Sequence, residues 1–315
     1  MSALRENPPE VDPHRWAVIL AGGSGTRLQP LTRRMFGEGR PKQFCNLFGG
    51  RTLLGHTQSR IAGVVSPERT MYAVMKAHAS YYGQELAGVS PSQVLVQPAD
   101  RGTTAAIAFS LARIAAIDDN ATVGFFPADH HFADEAAFTS AVDQAYLSVP
   151  ESGEKLLLLG ARPERPEPEY GWIEPGAAIP IASHKSVFRV NRFWEKPSLE
   201  AARGLLDSGC LWNMFVMIGR IRTFLDVLKQ CIPAVFHAFE PRPHGSDWNR
   251  IYNTLASSDF SKQVLSALPD RLAVLRLDNV GWSDLGTPER VMAAVGAHVG
   301  KAMASRLSVK PLTAA

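Results

Sequence analysis

Cysteine is scarce in this chain. Only three cysteines occur among 315 residues, at positions 45, 210 and 231, and they are too far apart to form a CxxC pair or a metal-binding spacing. The scarcity excludes a small scaffold held by disulfides and a cysteine-based zinc site. We therefore expect free thiols and a cytoplasmic location.

Long apolar runs and blocks of like charge are missing as well. The run from Leu156 to Leu159 has the length of a strand, and no run reaches the roughly 20 residues that a membrane-spanning helix needs. The first 15 residues are polar, so we expect no signal peptide. A net charge of +3 without a cluster of lysine or arginine does not favour nucleic acid as a partner. We expect binding to neither a membrane nor a nucleic acid.

One glycine-rich stretch near the N-terminus stands out. An apolar run at about residues 15–21 is followed by Gly22, Gly23 and Gly25, and then by Arg27. Glycines after a strand let backbone N–H groups approach an anion closely, and an arginine adds a permanent charge with several donors. This combination suits a nucleoside triphosphate. A tight turn with a surface arginine is the alternative interpretation.

Two common nucleotide-binding motifs do not match this stretch. Leu28 stands where the dinucleotide fingerprint requires a third glycine, and no lysine closes the turn as a P-loop requires. A nucleotide site here therefore has to be of another type.

The hydrophobic pattern predicts alternating strands and helices through the first half of the chain. Predicted strands lie at about residues 15–21, 71–75, 94–96, 122–126 and 156–160. Predicted helices lie at about residues 52–65, 78–87, 104–117 and 135–149. This alternation predicts an α/β fold with a Rossmann-like, mixed but mostly parallel sheet and helices on both faces. Ligands in such folds bind at the carboxyl ends of the strands.

The second half of the chain is less regular. Prolines interrupt residues 161–181, which we interpret as an irregular segment. Further strands are predicted at about residues 187–194, 211–218 and 272–277, and Ser198 is well placed as the N-cap of a short helix.

The last predicted helix starts at Thr287-Pro288-Glu289 and ends near His298. The same pattern gives the expected domain organisation. We expect a flexible leader at residues 1–14, one domain at residues 15–300 and a C-terminal tail at residues 301–315.

Two neighbouring motifs resemble the signature of sugar-nucleotide pyrophosphorylases. They are Gly-Gly-Ser-Gly-Thr-Arg-Leu-x-Pro-Leu at residues 22–31 and Arg-Pro-Lys-Gln-Phe at residues 40–44. The Pro-Lys-Gln-Phe form is most similar to that of mannose-1-phosphate guanylyltransferases. The resemblance covers about residues 15–295 and implies the nucleotide-diphospho-sugar transferase fold. It implies an enzyme, a nucleotidyltransferase that uses Mg²⁺ to make GDP-mannose and pyrophosphate from GTP and mannose 1-phosphate.

The resemblance also assigns the catalytic, metal and nucleotide residues. Arg27 would neutralise charge on the triphosphate and on the departing pyrophosphate, and Lys42 would bridge the phosphates of donor and acceptor. Asp129 and Asp284, each at a predicted strand end, match the metal-binding aspartates and would hold Mg²⁺. The nucleotide-binding residues implied by the match are Gly22, Gly23, Gly25, Thr26, Gln97, Arg101 and Thr103.

Four further residues match the sugar-phosphate site of that family. Glu195 and Lys196 correspond to a Glu-Lys-Pro motif in which the glutamate takes sugar hydroxyls and the lysine takes the acceptor phosphate. Gly171 and Asn213 match residues that contact the sugar. Without the resemblance, both would be interpreted as turn or packing residues.

Two departures from the family pattern bear on the substrates. Trp212-Asn213 is followed directly by Met214-Phe215, without the usual Ser-Gly, which predicts a reshaped sugar pocket. Gln97 stands where the family has a glutamate, whose carboxylate accepts from both N–H groups on the guanine edge. A glutamine offers one acceptor and one donor, which also suits uracil or thymine. The same reaction with another pair, giving a UDP-, dTDP- or ADP-sugar, is therefore the alternative.

A non-catalytic regulatory relative with the same fold is a rival of a different class. Such relatives tend to lose the arginine, the lysine or a metal-binding aspartate. This chain keeps the arginine, the lysine and both aspartates, namely Arg27, Lys42, Asp129 and Asp284, which argues against that rival. The pattern leaves the oligomeric state open, with a homodimer as one expectation.

Overall fold

A computed structural model of the chain describes residues 12–181, 186–240 and 248–308, with side chains up to residue 299. Its strands are β1 (Arg15–Ala21), β2 (Thr70–Met75), β3 (Val94–Gln97), β4 (Thr122–Pro127), β5 (His131–Phe132), β6 (Leu156–Ala161), β7 (Gly171–Ala178), β8 (Val187–Glu195), β9 (Leu211–Arg220), β10 (Leu272–Leu277) and β11 (Trp282–Ser283). Its α-helices are α1 (Gln29–Phe36), α2 (Leu53–Ile61), α3 (Ala79–Glu85), α4 (Gly102–Ala115), α5 (Glu135–Ser148), α6 (Leu199–Asp207), α7 (Ile221–Cys231), α8 (Pro233–Ala238), α9 (Trp248–Thr254) and α10 (Pro288–Ser308).

Nine strands form one mixed sheet in the order β3-β2-β1-β4-β9-β6-β10-β8-β7. Strands β1 to β4 pair in parallel, as do β6 and β10, whereas β8 and β9 run in the opposite direction. Strand β9 pairs with β6 along one edge. Its other edge pairs first with β7 and then with β4. A separate two-stranded sheet joins β5 to β11.

Both faces of the main sheet are covered by apolar side chains. Ala17, Ile19 and Ala21 of β1 belong to one buried cluster, and the alternating residues Trp16 and Val18 belong to another. Because side chains of a strand alternate between faces, these clusters lie on opposite sides of the sheet. Helices α2 and α5 contribute to the first cluster, and α4 and α7 contribute to the second.

The predicted α/β fold with a mixed, mostly parallel sheet and helices on both faces is confirmed. Seven of the nine strands share one direction. The predicted N-cap is confirmed too, since the Ser198 hydroxyl accepts from the backbone N–H of Ala201 at 3.2 Å. None of the helices in the described part of the chain is long and apolar enough to cross a bilayer.

One helix was not predicted and two local predictions were wrong. Residues 29–36 form α1, which has Pro30 in its first turn. The segment taken as irregular contains β7, which passes through Pro175. The missing N–H of Pro175 is tolerated because the register with β8 shifts on both sides of that residue. Helix α10 continues to Ser308, past the predicted end at His298.

The domain boundaries remain predictions, and parts of the leader and tail lie outside the described residues. Within the leader, residues 12–14 are attached to the domain. The backbone N–H of Thr122 donates to the His14 carbonyl at 2.8 Å, and the His14 ring lies 3.0 Å from the Asp118 carboxylate.

Gly102, at the first position of α4, is a point where two distant segments meet. Its φ is +77°, and a Cβ added there would lie 2.2 Å from the carbonyl oxygen of Ser258. We expect Gly102→Ala to lower the free energy of unfolding by about 3 kcal/mol or more, because backbone would have to move. Urea unfolding measures the loss.

The matched control is Gly209→Ala, where φ is +73° but no atom lies within 4 Å of the added Cβ. There the cost should be only the left-handed strain, about 1 kcal/mol. Equal losses in the two variants would contradict the close approach at Gly102.

Candidate functional site

A cleft of about 650 Å³ opens at the carboxyl ends of β1, β3 and β4. Among the residues that line it are five that the sequence singled out, namely Gly22, Gly23, Gln97, Thr103 and Asp129. We call this space the large cleft. Its opposite wall comes from residues 257–263, which follow α9 and run into the π-helical turn Ser261–Leu265. Ligand binding at this edge of the sheet was expected from the fold class.

The glycine-rich loop after β1 is held from below by Gln43. This side chain is fully buried, and its amide nitrogen donates to the carbonyls of Ala21 at 3.0 Å and Gly23 at 2.8 Å. Gly25 has φ +59°, and a Cβ there would press on the backbone nitrogen of Lys42 at 3.3 Å. The loop is therefore seated directly on the residues 41–44 turn, which brings the two sequence motifs together.

A second space of about 250 Å³, the small cleft, continues from the large one. Its lining is Gly25, Thr26, Arg27, Leu28, Lys42, Asp129 and Gly286. Asp129 lines both spaces. The Arg27 guanidinium lies 2.7 Å from the Glu169 carboxylate, and both side chains are about half exposed.

Lys42 joins the two predicted metal-binding segments. Its ammonium group lies 3.2 Å from Oδ2 of Asp129 and donates to the backbone carbonyl of Asp284. The Lys42 side chain is only 11% exposed, so this contact is largely withdrawn from water. One side chain thus ties the loop after β4 to the loop after β11.

Asp284 is fixed by three donors on one of its oxygens. Oδ1 accepts from the Tyr170 hydroxyl at 3.0 Å, the Arg290 guanidinium at 2.8 Å and the backbone N–H of Gly286 at 2.9 Å. Burial by itself would raise the pKa of Asp284, but Lys42 and the other nearby donors outweigh it and lower that pKa. Asp284 is therefore a carboxylate at neutral pH.

His130 follows Asp129 and is a neutral side chain. Burial lowers its pKa to about 4. The indole N–H of Trp282 donates to Nδ1 of His130 at 3.2 Å, which places the ring proton on Nε2, 3.9 Å from Oδ1 of Asp129. His130 thus connects β11 to the Asp129 loop without adding charge.

The pair Asp129 and Asp284 fits a divalent cation that takes its remaining ligands from outside the protein. Within the described ranges, no group of three His, Cys, Asp or Glu side chains could enclose a metal unaided. Mg²⁺ commonly takes one or two carboxylates together with phosphate oxygens and waters. Oδ2 of Asp284 has no hydrogen-bond donor among the described residues, so one carboxylate oxygen is left for a cation.

The loop after β3 contributes the other predicted nucleotide residues. Gln97 is buried at the floor of the large cleft, and a Cβ on Gly22 would lie 3.0 Å from its amide nitrogen. Thr103 lines the cleft and accepts from the Phe260 N–H at 2.9 Å. Arg101 points elsewhere: its Nε donates to the Tyr252 carbonyl at 2.8 Å, so the guanidinium is bound to α9.

The predicted sugar-phosphate residues come together where β7, β8 and β9 meet. Gly171 pairs with Glu195, and a Cβ on Gly171 would lie 3.1 Å from Oε2 of Glu195 and 3.2 Å from Cβ of Asn213. Burial raises the pKa of Glu195, and the nearby Asp259 carboxylate raises it further. Because Asp259 lines the large cleft, this cluster borders that cleft.

Lys196 lies at the end of β8 and is half exposed. Its φ is +49°, and its ammonium group lies 3.6 Å from Oε1 of Glu195. The lysine therefore adjoins the same cluster, with its charge on the solvent side.

The shortened Trp-Asn-Met-Phe sequence forms a bulge in β9. The register with β6 shifts by two residues between Met217 and Asn213, and Phe215 there has φ +54°. The Asn213 side-chain oxygen accepts from the Phe215 N–H at 3.1 Å, and Phe215 lines the large cleft. The aromatic ring of Phe215 thus lies at the position where this chain lacks the usual Ser-Gly of the family.

Sequence reasoning missed several residues of the site. Gln43 was within a quoted motif but had no assigned role, and only its position beside Lys42 could have drawn attention to it. Tyr252, Glu167 and Arg290 carry no local signal, since Tyr252 contacts Arg101, and Glu167 pairs with Arg290, across more than 100 residues.

A family model described as nucleotidyl transferase matches residues 16–298. The xanthan biosynthesis protein XanB of Xanthomonas campestris is 34% identical over 280 residues, which are 86% of this chain and 57% of that protein. The mannose-1-phosphate guanylyltransferase ManC of Salmonella typhimurium is 33% identical over 286 residues, 86% of this chain and 58% of the relative. This chain therefore spans less than two thirds of the length of these relatives.

Two solved structures have similar folds. A structure titled mannose-1-phosphate geranyltransferase from Thermus thermophilus matches with a TM-score of 0.77 and 29% identity, over 89% of this chain and 79% of that one. Mannose-6-phosphate isomerase from Helicobacter pylori matches with a TM-score of 0.64 and 22% identity, over 86% and 99%, and supports the fold alone. Together with the relatives, the first structure confirms the resemblance inferred from the motifs.

Arg290 offers a direct test of how Asp284 is held. Its guanidinium lies 2.8 Å from both Asp284 and Glu167, and the three side chains are 10–19% exposed. We expect Arg290→Met to lower the free energy of unfolding by about 3 kcal/mol, because two nearly buried carboxylates lose their counter-charge. Urea unfolding at neutral pH measures this.

The control is Arg276→Met, which breaks a pair with Asp278 whose members are 42% and 46% exposed. Exposed pairs are worth little, so we expect a loss of roughly 0.5 kcal/mol or less. A comparable loss in both variants would show that Arg290 does not anchor Asp284.

Proposed function

Because this chain belongs to the nucleotidyl transferase family, we propose that it transfers a guanylyl group from GTP to mannose 1-phosphate, giving GDP-mannose and pyrophosphate. The observation that carries the proposal is the position of Lys42. Its ammonium group contacts Asp129, where the large and small clefts join, and the Asp284 segment. A cation at this junction can serve two phosphate groups that come from opposite sides.

The reaction needs positioning and charge neutralisation more than it needs covalent chemistry. An oxygen of the sugar 1-phosphate attacks the α-phosphorus of the triphosphate, and pyrophosphate leaves with the bonding electrons. We assign the nucleoside to the large cleft and the β- and γ-phosphates to the small cleft beside Gly25, Thr26 and Arg27. Lys42 then lies near both phosphates, where a fixed positive charge stabilises the transition state.

We propose that Asp129 and Asp284 hold Mg²⁺ together with the phosphates. When bound, the metal supplies positive charge that offsets the repulsion between the two substrates. The protein side of this site is rigid, because Asp284 is oriented by Tyr170 and Arg290, and Asp129 is oriented by Lys42.

The sugar is assigned to the cluster where β7, β8 and β9 meet. Glu195 and Asn213 offer oxygen acceptors for hydroxyl groups, and Gly171 lets these two side chains lie close to its strand, because a Cβ there would crowd both. We assign the acceptor phosphate to Lys196. Lys196 lowers the pKa of Glu195 but does not cancel the effect of burial and of Asp259, so the pKa of that carboxyl is raised overall.

The names of similar proteins support GTP and mannose 1-phosphate as the substrate pair. Gln97 in place of a glutamate keeps UDP-, dTDP- or ADP-sugar synthesis as the alternative. Three free cysteines are consistent with a cytoplasmic enzyme. We propose a homodimer as the assembly, which light scattering can test.

The decisive experiment measures pyrophosphate release for each pairing of GTP, UTP, dTTP, CTP and ATP with mannose, glucose and N-acetylglucosamine 1-phosphates, with Mg²⁺ present. We expect the highest kcat/KM with GTP and mannose 1-phosphate, and no turnover when EDTA exceeds Mg²⁺. Lys42→Met should lower kcat by roughly 100-fold or more, as expected when a group that stabilises transition-state charge is lost.

Lys229→Met is the control for charge removal, because Lys229 is an exposed residue of α7 that lines neither cleft. It should keep full activity. A higher kcat/KM with another pair of substrates would retain the mechanism and change the substrate assignment. No pyrophosphate release with any pair would favour the non-catalytic alternative.

A further inference from the structure

The segment between α9 and the π-helical turn is fastened to the loop after β3 by several hydrogen bonds. The Arg101 guanidinium donates to the Tyr252 carbonyl at 2.8 Å, and the Ser258 N–H donates to the Arg101 carbonyl at 3.0 Å. The Phe260 N–H donates to the Thr103 hydroxyl at 2.9 Å. These contacts join residues about 150 positions apart in the sequence, so the wall and floor of the large cleft form one unit.

Tyr252 is the member of this unit that reaches Gln97. Its side chain is fully buried, and its hydroxyl donates to Oε1 of Gln97 at 3.3 Å. The ring is enclosed by Phe109 and Phe239, with centroids 6.0 and 5.7 Å away in edge-to-face arrangements. Burial raises the pKa of Tyr252, so the hydroxyl keeps its proton at neutral pH.

This contact fixes which end of the Gln97 amide meets a ligand. Oε1 is occupied by Tyr252, whereas Nε2 has no hydrogen-bond partner in the described part of the chain and lies on the Gly22 side, at the cleft. Turning the amide over would present its NH₂ group to the buried Tyr252 hydroxyl, which makes no other hydrogen bond among the described residues. An unpaired buried donor is costly, so the observed orientation is favoured.

We propose that Tyr252 is a positioning residue that holds the Gln97 amide so that only its N–H donors face the base. The cleft then selects bases that present a carbonyl oxygen there, as guanine, uracil and thymine do, over adenine and cytosine, which present an amino group. The inference rests on the proposed function and deepens it. It also explains how a glutamine serves a guanine site, because it donates to O6 instead of accepting from the N–H groups of the guanine edge.

The test uses equilibrium binding of ATP and inosine triphosphate, two nucleotides that differ only at purine positions 1 and 6. The wild type should bind inosine triphosphate roughly tenfold more tightly than ATP, the ratio that one hydrogen bond of ordinary strength provides. Tyr252→Phe frees the amide to turn, so this ratio should fall to about twofold or less. Tyr146→Phe is the control, because that buried tyrosine donates to the Trp16 carbonyl at 2.7 Å and lines neither cleft.

The control should lose a similar amount of thermal stability and keep the wild-type ratio. An unchanged ratio in Tyr252→Phe, or a wild type that binds both nucleotides equally, would overturn the inference. Gln97→Met provides a second route if Tyr252→Phe does not fold. It removes donor and acceptor at nearly constant size and should abolish the ratio, and combining it with Tyr252→Phe should change the ratio no further.

The outcomes separate this inference from the proposed function. A wild type that binds no nucleoside triphosphate would overturn both. A wild type that binds nucleotides and releases pyrophosphate, but whose ratio is insensitive to Tyr252 and Gln97, would overturn the positioning role alone.

Discussion

The ammonium group of Lys42 is the contact on which the site depends. It joins the segment after β4 to the segment after β11 by touching the Asp129 carboxylate and the Asp284 backbone. The turn that presents Lys42 also carries Gln43, which supports the glycine-rich loop. Loops from three distant parts of the chain are thus held in one geometry by two neighbouring side chains. Such cross-links fix the shape of the two clefts before any ligand arrives.

Strand β9 has a comparable role for the sheet. One of its edges pairs with β4, which leads into the loop that carries Asp129, and with β7, whose first residue is Gly171. The regions assigned to nucleotide and sugar are therefore parts of one hydrogen-bonded sheet and not two bodies that meet across a linker. The bulge at Phe215 falls between the two pairings and turns an aromatic ring into the large cleft.

The sequence was sufficient for the α/β fold because strand and helix periodicities are local and strong in the first half of the chain. It was also sufficient to group Gly22, Gln97 and Asp129, because parallel strands share a carboxyl edge. It could not reveal the contact of Tyr252 with Gln97 or that of Arg290 with Glu167, since both join remote segments and leave no periodic trace. Strand β7 was missed because a proline normally argues against a strand, and only the pairing with β8 shows the shift that accommodates it.

The basic side chains assigned to phosphate already have acidic partners. Arg27 is paired with Glu169, Lys42 with Asp129 and Lys196 with Glu195. A polyanion that binds here has to exchange one ion pair for another, which differs from capture by a bare positive surface. Paired charges produce little long-range attraction, so encounter should be governed by ordinary diffusion and depend only weakly on ionic strength. Simple anions in the surrounding solution would then compete poorly for these basic side chains. A ligand would be recognised chiefly by how well its own anionic groups take the places of the carboxylates that it displaces.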